Sequence, residues 1–176
     1  EISLNIIVQK FGGTSVSTED RRKQVAIKVK EAIENGFTPI VVVSAMGRKG
    51  QPYATDTLLT LIDDKFKETN RNSKDLLMCC GEIISSVVVA NALYNEGIEA
   101  VPLTGGQAGI ITDDNFCEAE YISIDIDRLL SVVREGKVPV VTGFQGITKD
   151  GYFTTLGRGG SDTTACILGN AVKAKE

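Results

Sequence analysis

Not one of the 176 residues is histidine. That absence removes Ser-His-Asp and Cys-His nucleophile systems and the commonest zinc ligand, leaving lysine, arginine, carboxylates, hydroxyls and backbone amides for any chemistry. Tryptophan is missing too, and aromatics make up 6% of the chain, too few for the stacking platforms that hold single-stranded nucleic acid. A net charge of −4 provides no basic field for nucleic acid or an acidic membrane surface. The sequence reads as having no apolar stretch near the roughly 18 residues of a membrane span. The amino-terminal EISLNIIVQK lacks the basic start and cleavage site of a secretory signal. The four cysteines, Cys79, Cys80, Cys117 and Cys166, form no C-x-x-C pair. They read as core thiols in a reducing cytoplasm, not as disulfides or zinc ligands. The expectation is a cytoplasmic protein with no nucleic-acid or membrane partner.

What is present is enough for a core. At 42% hydrophobic, a chain of this length can fold on burial alone. Residues 4–9 (LNIIVQ) and 38–43 (TPIVVV) read as buried strands. Between them, Ser17 to Asp20 (STED) resembles a capping box opening a helix that runs to Asn35, where Gly36 ends it. Strand, helix, strand at this spacing is a βαβ unit with parallel strands. Thr55 is expected to cap a short helix through Asp64, and a second helix spans 73–95. Further strands are expected over 98–103, 119–124 and 138–142, with a helix over 126–135. Residues 147–154 (ITKDGYFT) read as a hairpin turning at Asp150-Gly151, and a last helix runs from Ser161 towards Val172. The charged stretch 63–75 (DDKFKETNRNSKD) reads as a solvated loop and helix end. Alternating strands and helices predict an α/β fold whose mostly parallel sheet is covered on both faces. No linker, low-complexity tract or repeat divides the chain, so residues 1–176 read as a single domain.

The glycine-rich turns carry the chemistry. KFGGTSV (10–16) follows a strand and precedes a helix. Gly12 and Gly13 let backbone N–H groups face an anion, while Thr14 and Ser15 add hydroxyls. The lysine precedes the glycines, so this is neither G-x-x-x-x-G-K-[ST] nor G-x-G-x-x-G. A tight turn with Lys10 in solvent accounts for the same residues equally well. LGRGGSDT (156–163) places Arg158 among Gly157, Gly159 and Gly160, with Ser161 at a helix start. A forked guanidinium at a helix N-terminus binds carboxylates or phosphates. Asp162 would oppose such a site unless it faces a cation, and Lys10 is the natural partner. Ser44 ends a buried strand, on the side where open α/β sheets hold ligands; Lys10 and Ser44 should share one crevice. Glu82 lies within LLMCCGEIISSVVVA, where a buried carboxylate must be paired or bind something. Thr104 to Gly106 and GFQG (143–146) read as ordinary loop chemistry.

Together, KFGGTSV, VVSAMG (42–47), ATDTLL (54–59), CGE (80–82), GFQG and LGRGGSDTTA (156–165) resemble the aspartokinases, from about Ile6 to the chain end. KFGGTSV and GRGGSD are far more specific than a generic glycine loop, and the longer GRKGQPYATD segment is similar to that of certain bacterial members. The resemblance implies the three-layer α/β/α sandwich of the amino-acid kinases and transfer of the ATP γ-phosphoryl group to the side-chain carboxylate of L-aspartate, the first step towards lysine, threonine and methionine. It implies that Lys10, Phe11, Gly12, Gly13 and Ser44 contact the nucleotide's transferring phosphoryl. Glu82 would receive the substrate's α-ammonium and Arg158 its α-carboxylate. Thr55, Gly159, Gly160 and Ser161 would complete the pocket, and Asp162 would hold Lys10. Mg²⁺ is expected on the nucleotide, with no metal ligand from the chain itself. In the family, the sequence continues beyond this point into adenine, ribose and metal contacts and into regulatory ACT domains. The chain therefore reads as the substrate and phosphoryl half of a catalytic domain, inactive alone and homo-oligomeric in the full-length enzyme. A kinase of another carboxylate or carbamate and a non-catalytic aspartate-binding half-domain are the alternative readings.

Overall fold

A computed structural model describes residues 4–157 and 160–173. Four parallel strands form the central sheet in the order β1 (Ile6–Phe11), β2 (Thr38–Val43), β6 (Val138–Thr142), β3 (Ala100–Leu103). The apolar run of β2 explains its central place. Val41 and Val43 join one core cluster while Ile40 and Val42 join the other, because successive side chains leave opposite faces of a strand. Helices α1 (Glu19–Glu34) and α4 (Arg71–Asn95) cover the first face through Val25, Val29, Val89 and Leu93. The second is covered by α5 (Asp127–Arg134) and α6 (Gly160–Val172) through Leu129, Val133 and Leu168. The result is the expected three-layer α/β/α arrangement.

A second sheet stands beside the first; it contains the strand expected over 119–124 and the expected hairpin, joined by a strand over 110–112 that the sequence did not announce. Its order is β5 (Tyr121–Ile124), β4 (Ile110–Thr112), β7 (Gln145–Ile147), β8 (Phe153–Thr155). The unannounced strand, β4, is only three residues long, too short for an alternating pattern to show. The expected hairpin is real, but β7 and β8 pair through Gln145–Thr155 to Ile147–Phe153, and its connection spans residues 148–152, with Gly151 at φ 89°.

Other local expectations shift for physical reasons. The cap of α1 is Thr18, whose hydroxyl accepts the Arg21 amide at 3.2 Å, while Ser17 donates instead to the Thr14 carbonyl at 2.8 Å. The turn before it, Gly13–Val16, closes as a 3-10 helix. Thr55 begins α2 (Thr55–Leu59) without capping it, and that helix stops short of Asp64. The charged stretch is largely exposed and includes a helix end, as expected, but the rest of it is helix and not loop. It forms α3 (Asp64–Thr69) and the first turn of α4, and Asp75 within it is fully buried. Its carboxylate accepts the Cys117 and Thr155 amides at 2.8 and 2.9 Å and the Thr155 hydroxyl at 2.7 Å.

Two compositional readings also need correction. Helix α4 is long and apolar enough to cross a membrane by length and composition, its mean hydropathy reaching 1.9. Much of that apolarity meets the core, where Cys79, Val89 and Leu93 are fully buried, and Glu82 interrupts the run. Of the four thiols, only Cys79 is a core residue; Cys166 is exposed.

Candidate active site

The two strand ends named by the sequence lie side by side. Lys10 is in register with Val42, and the Ser44 amide donates to the Phe11 carbonyl at 3.1 Å. Parallel pairing therefore delivers the KFGG turn and the SAMG turn to one edge of the sheet, as its carboxyl ends must. The two turns are knitted together by the Gly47 amide, which donates to the Gly13 carbonyl at 3.0 Å. A β-carbon at Gly13 would stand 2.7 Å from the Gly47 carbonyl oxygen and 2.8 Å from that of Ala45, so only glycine allows this approach. Gly12 has open space around its α-carbon.

From the opposite end of the chain, α6 brings its first turn to the same place. Ser161 and Ser44 share a hydroxyl–hydroxyl bond at 2.7 Å, and Lys10 Nζ lies 3.0 Å from Asp162 Oδ1. The cation expected opposite Asp162 is thus Lys10. Gly143 makes the contact possible, since a β-carbon there would meet Ser161 Oγ at 2.8 Å. Gly160 begins the helix at φ 38°, and Thr164 accepts the Phe144 amide at 3.0 Å.

These elements surround an open cavity of about 300 Å³ lined by Gly13, Ser44, Thr55, Glu82, Gly160 and Ser161 among others. Gly12 and Asp162 adjoin it through Gly13 and Ser161 without lining it, and Lys10, which does not line it either, is connected to this edge by its ion pair with Asp162. Phe11 turns its side chain into the core, so its contribution at this edge is its backbone. Arg158 and Gly159 lie outside the described residues.

Glu82 is the unusual group. It is 4% exposed, and its Oε2 is buried without a hydrogen-bond partner. Burial pushes its carboxyl up to about 8, partly offset by hydrogen bonds from its own amide and that of Ala45. At neutral pH it is protonated until a cation arrives to stabilise the charged form. A half-satisfied carboxyl facing a cavity has room to accept a hydrogen bond from a cationic donor. Cys79, on the same helix, has its thiol pushed up by burial and is inert.

A family model described as the amino acid kinase family matches residues 5–176. The chain belongs to the amino acid kinase family. It is similar to Aspartokinase 1 of Bacillus subtilis (strain 168), with 51% identity over 98% of this chain and 43% of that protein. It is also similar to the crystal structure of aspartate kinase from Synechocystis, with TM-score 0.73 and 41% identity over 96% of this chain and 27% of that one. E. coli aspartokinase III, solved in complex with aspartate and ADP, shares the fold at TM-score 0.72 and 23% identity, over 97% of this chain and 48% of that one. The chain spans less than half the length of each of these three.

Within this amino acid kinase, sequence reasoning missed several lining residues: Arg48, Lys49, Asp56 and Phe144. Arg48 and Lys49 sat unnoticed in a polar loop, although they directly follow the SAMG strand end. Phe144 sat in a glycine pair dismissed as loop chemistry. Proximity in sequence to Ser44 was the available signal for the first two, and membership of the ATDTLL and GFQG motifs was the signal for Asp56 and Phe144.

Proposed function

We propose that the protein is an aspartate kinase, moving the γ-phosphoryl group of ATP to the side-chain carboxylate of L-aspartate. The observation that carries the reading is Glu82, a buried carboxyl with an unpartnered oxygen beside a cavity that the glycine turn and the α6 N-terminus also reach. An amino acid with an acidic side chain offers the matching groups: an ammonium for Glu82 and carboxylates for the cationic and amide-rich surfaces. The 51% identity to a curated aspartokinase supports this choice of amino acid.

The chemistry needs no histidine. An aspartate side chain is ionised at pH 7 and attacks without a general base. Its oxygen bonds to the γ-phosphorus, the bond to the bridging oxygen breaks, and ADP leaves an acyl phosphate behind. Catalysis is then positioning plus neutralisation of charge on the equatorial oxygens. Lys10 and the Gly12–Gly13 amides supply that neutralisation, with Ser44 beside them and Asp162 fixing the Lys10 ammonium. Thr55, Gly160 and Ser161 shape the pocket, and Arg158 with Gly159 receives the α-carboxylate. ATP supplies the phosphoryl group, and Mg²⁺ travels on its phosphates. Residues 1–176 form the substrate and phosphoryl part of a catalytic domain whose intact form is a homo-oligomeric cytoplasmic enzyme of lysine, diaminopimelate, threonine and methionine synthesis. Four unpaired thiols support a reducing compartment.

The test is ADP release by the intact protein with L-aspartate, with hydroxylamine present to trap the acyl phosphate as a hydroxamate. Aspartate-dependent hydroxamate, absent with L-glutamate, supports the assignment. ADP release that ignores aspartate contradicts it.

A further inference from the structure

Loop 47–54 is more ordered by its own bonds than a surface insertion needs to be. The Arg48 amide donates to Gln51 Oε1 at 2.8 Å, and the Gln51 amide donates back to the Arg48 carbonyl at 2.9 Å. The Gly47 amide fastens the same segment to Gly13. From this clasp the Arg48 side chain crosses to the glycine turn, where Nε donates to Thr14 Oγ1 at 3.0 Å. That bond uses one of five guanidinium N–H donors; the other four sit on the terminal nitrogens. It also fixes Thr14, whose oxygen now accepts and whose own proton is left to donate elsewhere.

The charge balance of the site gives this arrangement a purpose. Lys10 is the strand-end cation, yet Asp162 lies 3.0 Å away and cancels most of its field. Among the described residues lining the cavity, the acids are Asp56 and Glu82 and the cations are Arg48 and Lys49. A phosphoryl group in transfer spreads negative charge over three equatorial oxygens, more than a compensated lysine and backbone amides neutralise. Arg48 is the cation already tethered beside Gly13, and a planar guanidinium suits paired phosphoryl oxygens better than a lysine does.

We propose that Arg48, held over the glycine turn by Thr14 and by the Gln51 clasp, is a second cation for the transferring phosphoryl group. Loop 47–54 is then part of the transfer machinery. The inference rests on the reading of this cavity as a phosphoryl-transfer site.

The test compares Arg48→Ala, Arg48→Lys and Thr14→Val in the intact protein by steady-state kinetics. Losing a charged donor to the transition state lowers kcat by about 10- to 100-fold, with the KM for aspartate unchanged. Arg48→Lys recovers part of the loss, and Thr14→Val, which frees the guanidinium, loses several-fold. A binding measurement separates this from a folding defect. ADP, aspartate and aluminium fluoride, which mimics the planar phosphoryl, raise Tm above ADP and aspartate alone in the parent protein but not in Arg48→Ala. Full kcat in Arg48→Ala overturns the proposal. So does a raised aspartate KM at unchanged kcat, because the side chain would then hold the substrate carboxylate. An intact protein that phosphorylates a different acceptor sinks the aspartate reading alone; the same comparison on that acceptor decides the role of Arg48.

Discussion

At the scale of single residues, the site turns on two side chains with opposite habits. Lys10, next to the last residue of its strand, is paired with Asp162, and on the proposed reading it meets the phosphoryl group. Replacing it with alanine should remove about 2.7–4 kcal/mol of transition-state stabilisation, by analogy with an oxyanion-hole donor. Turnover of a Lys10→Ala enzyme at near the parental rate would end that role. Glu82 behaves differently because its carboxyl is raised from 4.5 to about 8. The folded state keeps a proton there that the unfolded chain gives up near pH 4.5. The stabilisation this provides is complete below the unfolded value and is lost as pH rises through about 8, at up to ~1.4 kcal/mol per pH unit. Glu82→Gln should therefore be more stable than the parent at pH 8 and show little advantage at pH 4.5, measured by denaturant unfolding without ligand. An equal effect at both pH values would show that Glu82 is not a buried acid.

At the scale of elements, two close approaches decide whether the turns meet. Gly13→Ala puts a methyl against two backbone carbonyls, neither of which can swing aside. A cost of about 1–3 kcal/mol, typical of overpacking, should appear in the unfolding curve, whereas Gly12→Ala has open space and should leave stability nearly unchanged. Asp75 works over a longer reach. It ties α4, which carries Glu82 two turns further on, to β8 and the loop at Cys117. Asp75→Ala orphans the buried Thr155 amide at about 1–3 kcal/mol and the half-buried Cys117 amide at less. Asp75→Asn, which keeps an acceptor oxygen, should lose much less. Neither role could be read from the sequence. Asp75 looked like part of a charged surface because nothing local distinguishes a carboxylate aimed at a strand 80 residues away. The KFGG turn was legible as a candidate because two glycines beside a cation, between strand and helix, suit an anion, although a plain tight turn fits the same residues. The parallel sheet was legible because β2 carries an unbroken β-branched run, IVVV at 40–43, which must be buried on both faces.

At the scale of the whole molecule, the fold explains why such distant segments form one site. Strands β1 and β2 run parallel and end together, and α6 returns along the second face to place Ser161 against Ser44 and Asp162 against Lys10. Strand β4 escaped notice because a strand of three residues is defined by its partners, and no local pattern announces it. The central claim is that Glu82 waits, protonated, for the ammonium of aspartate. It is tested most directly by titrating L-aspartate into the intact protein by calorimetry at pH 7, in two buffers of different ionisation enthalpy. A carboxyl at about 8 is about nine-tenths protonated there, so aspartate should bind with release of about 0.9 proton from it, and Glu82→Gln should lose both the release and most of the affinity. Binding without proton release, and undiminished in Glu82→Gln, would contradict the account.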